Sequence, residues 1–268
     1  MNYSMARHCS FISLILLMFW MSALGAAQSF AGIAAPAEGE SNSLLSSFIS
    51  YTDLRIRSVQ QSLEILAATS EARSGNWSNI KGILQGYQES DEGFIVWYLR
   101  PDGSYYTADK GIMDKNLTDR VYFPDLMAGM RITGALVTSR ATGQRSAIIA
   151  VPVKADGKIT GAVGVSLFLD KLSKQISDAL DLRPGFTFFA LAPNGLTTLH
   201  HKTDRHFLDP RELGSESLKK AATEMLAGTS GTTTYEFDDV TKHAIYTTST
   251  LTGWKFAIAH DTALEKSN

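Results

Sequence analysis

Two stretches of this 268-residue chain gather side chains that could do chemistry. The first is Asp119-Arg120-Val121-Tyr122-Phe123, an arginine beside two aromatic rings. A guanidinium there can meet a carboxylate with two charge-assisted hydrogen bonds while the rings wall an apolar pocket. The same residues could instead pair Arg120 with Asp119 and bury the rings in a core. The second stretch is His200-His201-Lys202-Thr203-Asp204-Arg205-His206, with Asp209 after it. As a metal site it offers imidazoles and carboxylates at irregular spacing, and the adjacent His200 and His201 are poorly placed to share one ion. It reads as a solvated loop after a hairpin. Asp91-Glu92 and Asp238-Asp239 read as strand-end turns rather than paired catalytic carboxylates.

No Gly-x-Ser-x-Gly elbow, phosphate-binding glycine loop, His-Glu-x-x-His or calcium loop occurs. The pattern therefore points to binding rather than catalysis, with no metal and no cofactor expected. The contrasting reading is a periplasmic hydrolase working through His200, His201 or Asp204.

Composition narrows the partners. With 25 basic and 27 acidic residues the formal charge is −2, and no basic block or basic aromatic stripe is present, so nucleic acid is not an expected partner. The N-terminus carries Arg7 and His8, an apolar run from Phe11 to Met21, and then small residues through Ala31. That order predicts a signal peptide over 1–31, cleaved after Ala27 or Ala31. The alternative is a retained membrane anchor, since the run extended to Ala27 approaches about 17 residues, the short end of a spanning helix. Cys9 is the single cysteine and precedes the run, so the mature chain would hold no thiol, which suits an oxidising compartment. Membrane contact is expected only if that segment stays.

Residues 32–41 read as a linker, and 263–268 as a tail. Between them Leu45, Ile49, Thr52, Ile56, Val59, Leu63 and Leu66 recur at steps of four and three, which predicts one helical face over 42–74. With Thr52 inside it, the stripe suits packing along the same chain better than a coiled-coil seam. Beyond the helix the chain repeats. Phe94 to Tyr106 resembles Phe186 to Thr198, with Pro101-Asp102-Gly103 and Pro193-Asn194-Gly195 in register as tight turns. Leu126 to Gly129 answers Met225 to Gly228, Thr133-Gly134 answers Ser230-Gly231, Ala147-Ile148 answers Ala244-Ile245, and Gly161 answers Gly253. Matches in one order at a nearly constant offset mark a duplication. Each unit reads as a hairpin, a loop with a helix, and about three antiparallel strands, among which Ala155-Asp156-Gly157-Lys158 is the plainest turn. The expected class is α+β: a long N-terminal helix and two lobes, at 75–180 and 181–262.

Four pieces carry a resemblance: Asp-Arg-x-Tyr-Phe at 119–123, Ser139 to Gly143, Ala150-Val151-Pro152-Val153, and Gly161 to Val165 leading to Leu169-Asp170-Lys171-Leu172. Their order and spacing resemble Cache sensor domains, and 42–262 is similar to a double Cache domain. The resemblance implies two tandem PAS-like lobes, the first membrane-distal and ligand-binding, the second membrane-proximal. It places Arg120 at the carboxylate-binding position of the amino-acid-binding subset. Tyr122 and Phe123 stand where that subset has Trp then Tyr, Lys115 replaces a Tyr, and Ser166 replaces the Asp that holds the ammonium. An organic acid is thus favoured over an amino acid, because a buried ammonium without its anion is costly. The candidate ligand-binding set is Arg120, Tyr122, Phe123, Arg140 and Ser166, joined by Tyr98 and Tyr106 of the first hairpin. The family's receptors continue into a membrane helix and an output domain, which this sequence lacks, so a separate membrane receptor or transporter partner is expected for signal transduction or chemotaxis.

Overall fold

In the computed structural model, which describes residues 37–265, a 32-residue helix, α1 (Ala37–Ala68), runs along two sheets. The signal segment expected over 1–31 lies outside the described residues, as do the start of the linker and the second half of the tail. Leu45, Thr52, Ile56, Val59 and Leu63 are buried, and Ile49 and Leu66 pack against the same core, so the stripe seats on the body of the chain. Thr52 is tolerated there because its hydroxyl donates to the Phe48 carbonyl one turn back, 2.9 Å away.

The helix differs from expectation at both ends. The expected linker gives way to helix at Ala37, because Ser41 and Glu40 have tertiary partners: Ser41 Oγ lies 2.9 Å from His260 Nδ1, and Glu40 takes a forked pair of bonds from Arg183. The helix stops at Ala68 rather than 74. Thr69 adopts an extended backbone and its side chain accepts from Ala72 N–H, capping a separate turn, α2 (Ser70–Arg73). Asn76 caps α3 (Trp77–Glu89) in the same way.

The first sheet holds β1 (Phe94–Leu99), β2 (Tyr105–Thr107), β3 (Gly111–Ile112), β4 (Ile132–Thr138), β5 (Arg145–Ala155) and β6 (Lys158–Phe168), in the order β3-β2-β1-β6-β5-β4. A short helix, α4 (Phe123–Met127), precedes β4. The helix α5 (Leu169–Leu180) leads to the second sheet: β7 (Phe186–Leu191), β8 (Thr197–His200), β9 (Ser230–Phe237), β10 (Val240–Thr248) and β11 (Lys255–Asp261), ordered β8-β7-β11-β10-β9. Before β9 lies α6 (Glu216–Ala227), capped by Ser215. Apart from the added β3, the two sheets share one order, and every neighbour is antiparallel. The fold is therefore α+β with two duplicated lobes.

Turn chemistry fixes the hairpins. Asp156 and Gly157 both take positive φ, 49° and 75°, the pair that a two-residue turn between twisted strands requires. Each sheet has one face under α1, carrying Val163, Val165, Phe188 and Phe256 among others. The opposite face of each is covered by its own loop and short helix, and these outer faces form two separate apolar clusters. Among the described residues no helix is long and apolar enough to cross a membrane.

Candidate functional site

Strand alternation decides which side chains of the first lobe turn away from α1. Trp97 and Leu99 of β1, Tyr105 of β2, Ile148 of β5 and Ser166 of β6 share the outer face. The loop before α4 crosses over them and delivers Leu117, Arg120 and Tyr122, while the β4–β5 turn delivers Ser139, Arg140 and Ala141. All of these except Leu99 line a cavity of about 20 Å³, on the order of one water-sized space. Trp97 can lie flat there because its cross-strand neighbour is Gly164, where any Cβ would run into the indole.

The polar groups at this cavity are unevenly satisfied. Arg120 Nη2 donates to the Thr138 carbonyl at 2.9 Å, but its Nε–H is buried with no hydrogen-bond partner. The Tyr105 hydroxyl is buried and unpartnered too, in a side chain only 3% exposed. Two orphaned groups on residues lining one small cavity are unusual, since a buried donor left unmade costs about 1–3 kcal/mol. Arg140 is by contrast held by three hydrogen bonds. Its guanidinium donates to both Asp119 oxygens, at 2.8 and 2.6 Å, and also to the Asn116 carbonyl. These bonds hold the Asp119 carboxyl below its ordinary range. Burial pushes the Tyr122 phenol up to about 12, so it acts as a neutral group. The lining contains two guanidiniums and no carboxylate of its own.

The structure brings Arg120, Tyr122, Arg140 and Ser166 together and leaves three candidates elsewhere. Tyr98 and Tyr106 are neighbours in register, but on the α1 face of the sheet. Tyr98 donates to the Thr160 carbonyl at 3.2 Å, and Tyr106 stacks on Trp77 with the Arg100 guanidinium over its ring. The physical reason is the period of two: the site takes Trp97 and Tyr105, so 98 and 106 must point the other way. Phe123 opens α4 and packs on the outer apolar cluster without lining the cavity. Trp97 and Tyr105, which sequence reasoning passed over, line the cavity in their place. Nor does Asp119 pair with Arg120: its fork goes to Arg140, from the far side of a hairpin turn.

In the second lobe His200 lies beside Phe189 on the outer face of the sheet, whereas His201 packs edge-on to Phe188. His200 and His201 stack with centroids 4.5 Å apart, and burial lowers both imidazole pKa values, that of His200 to about 2. His206 is buried with its Nε2 at 2.9 Å from Ser173 Oγ of α5, and burial lowers it to about 4. This Ser–His pair superficially suits a nucleophile and base. Both side chains are about 1% exposed, however, and Ser173 also accepts from His200 N–H, so the pair ties α5 to the second lobe with no access for substrate. Among the described residues no group of three or more His, Cys, Asp or Glu could hold a metal ion.

Comparison with solved structures places this architecture. The extracellular domain of rpHK1S-Z16, described as a histidine kinase, matches at 19% identity and TM-score 0.70, over 87% of this chain and 97% of that one. The ligand-binding domain of the Campylobacter jejuni chemoreceptor Tlp3, solved with L-norvaline, matches at 15% identity and TM-score 0.65, over 87% and 93%. The sensor domain of the V. cholerae histidine kinase DctB matches at 13% identity and TM-score 0.64, over 82% and 95%. No family model and no curated protein matches the sequence. The fold is that of double Cache sensory domains, with two PAS-like lobes on a long N-terminal helix.

Proposed function

We propose that the chain is an extracytoplasmic sensory module that binds a small carboxylate in the first lobe through Arg120, and reports its occupancy to a membrane receptor or transporter partner. One observation carries this reading: the Arg120 Nε–H and the Tyr105 hydroxyl are buried and unpartnered, on two residues that line the same cavity. An anion would satisfy both at once. Among solved neighbours of this fold are the sensor domain of a histidine kinase and the ligand-binding domain of a chemoreceptor, which supports a sensory role.

The ligand class follows from charge. Tlp3 is described with L-norvaline, whose ammonium needs an anion. Here the cavity wall supplies cations and hydroxyls, with Ser166 and Ser139 as the small polar groups and no acid among them. An acid without an amino group fits this lining, and at about 20 Å³ the site must open around Tyr105 or Tyr122 to admit it. A thermal-shift comparison of propionate, pyruvate and succinate with their amino-acid and amine counterparts tests the assignment. The acids should raise the melting temperature, and stabilisation by the amines instead would refute it. One-site linkage gives about 2.7 kcal/mol at 100 times the dissociation constant, which is readily measured.

A further inference from the structure

A cavity roomier than the one at Arg120 lies in the other lobe. Between the hairpin β7–β8 and the end of β9 is a cavity of about 280 Å³, and a second recess of about 60 Å³ shares its walls. Phe189, Tyr235, Phe237, His200 and Arg205 line both spaces. Leu213 and Leu218 close the recess behind them, so its depth is apolar.

From this arrangement we propose that the second lobe holds a ligand site of its own, for a carboxylate borne on an aromatic or apolar body, with Arg205 as its anion-binding group. Arg205 Nε–H is buried with no hydrogen-bond partner, and its guanidinium carbon lies over the Phe237 ring, 4.9 Å from the ring centre. This cation–π contact holds the head group at the cavity wall, where its N–H groups can meet a carboxylate. His200 supplies a second donor. Its Nδ1 accepts from Lys202 N–H at 2.8 Å, so the neutral ring carries its proton on Nε2. Lys242 is neutralised by Asp261 at 2.5 Å, which leaves Arg205 and the exposed Lys202 as the uncompensated cations; Asp238, at the rim, is exposed. Arg205 also repeats the placement of Arg120. Each sits in the loop between its lobe's hairpin and its short helix, with an orphaned Nε over the outer face of the sheet.

Calorimetric titration of the full chain with benzoate and phenylacetate, and with benzylamine as the cationic control, tests the site. At least one acid should bind and benzylamine should not. Arg205→Gln should weaken that binding by at least about tenfold. Arg120→Ala, in the other lobe, should leave it within about twofold. Val240→Trp supplies a second variant, placed at the cavity wall on a side chain 36% exposed, where added bulk blocks entry without touching the core. It too should abolish binding, and it decides the matter if Arg205→Gln does not fold. Silence from both acids, equal binding of benzylamine, or wild-type affinity in both second-lobe variants would overturn the proposal. Loss on Arg120→Ala with retention in Arg205→Gln would overturn it as well, while supporting the first-lobe reading.

Discussion

The two lobes share a strand order and a register, yet their outer faces hold different volumes. On the first, Trp97 pairs with Gly164 and Leu99 with Tyr105; on the second, Phe189 pairs with Ala257 and Leu191 with Thr197. An indole replaces a phenyl ring and a phenol replaces a threonine, and the space beside these pairs is about 20 Å³ in the first lobe against about 60 Å³ in the second, where Phe189, Leu191 and Thr197 line the recess. Gly164 is the backbone counterpart of that exchange, because the larger ring occupies the space of its missing Cβ. Two or three positions thus set the capacity of a lobe while its topology and its loop arginine stay constant. The duplication supplies a scaffold, and side-chain volume selects what enters.

The largest effect should come from breaking that exchange. Gly164→Ala puts a Cβ into the Trp97 indole and 2.9 Å from Ala150 Cβ, and overpacking of this kind costs about 1–3 kcal/mol. Adding Trp97→Phe, which copies the second-lobe pair, should recover most of the loss. Thermal denaturation of the two single variants and the double closes the cycle; strict additivity would mean that the indole does not depend on the glycine.

Acid should separate the lobes next. In the unfolded chain His200 and His206 titrate near 6.5, but in the folded chain only near 2 and 4, chiefly because burial disfavours their charged forms. Between pH 6.5 and 4 the unfolded state therefore binds more protons, and stability falls as pH drops. The melting temperature should decline across that window, and His200→Gln should flatten the decline. A profile unchanged by that substitution would show that the second-lobe imidazoles are not the cause.

The smallest effect concerns Tyr105. Removing its unpartnered hydroxyl with Tyr105→Phe should stabilise the unliganded chain by about 1 kcal/mol while weakening acid binding. A loss of stability instead would show that the hydroxyl already has a partner.

Much of the fold was legible, for identifiable reasons. The Pro-Asp-Gly and Pro-Asn-Gly turns sit where Gly103 and Gly195 need positive φ, so the duplication showed through local chemistry. The stripe from Leu45 to Leu66 gave the packing face of α1 because burial follows helical period. The candidate site was only partly legible. β1 reads Phe-Ile-Val-Trp-Tyr-Leu and is buried on both faces, so no polar alternation distinguished Trp97 from Tyr98. Its parity came from pairing with β6, which local sequence does not encode. Arg140 meets Asp119 across 21 positions, a long-range contact that favoured neither reading of the Arg120 loop. The second-lobe cavity was invisible because its lining side chains, from Gly185 to Asp261, are brought together only by the strand pairing and carry no local motif.

Titrating the acid found in the thermal-shift comparison into wild-type, Arg120→Ala and Arg120→Lys chains decides whether Arg120 holds the ligand or the fold. The alanine variant should bind at least about tenfold more weakly, roughly 1.4 kcal/mol, and the lysine variant should recover only part because a point charge cannot reproduce the fork. Both unliganded variants should melt close to wild type, since Arg120 makes one side-chain hydrogen bond, to Thr138, and leaves Nε unpartnered. Wild-type affinity in Arg120→Ala, or unfolding of the chain by that substitution, would contradict the account.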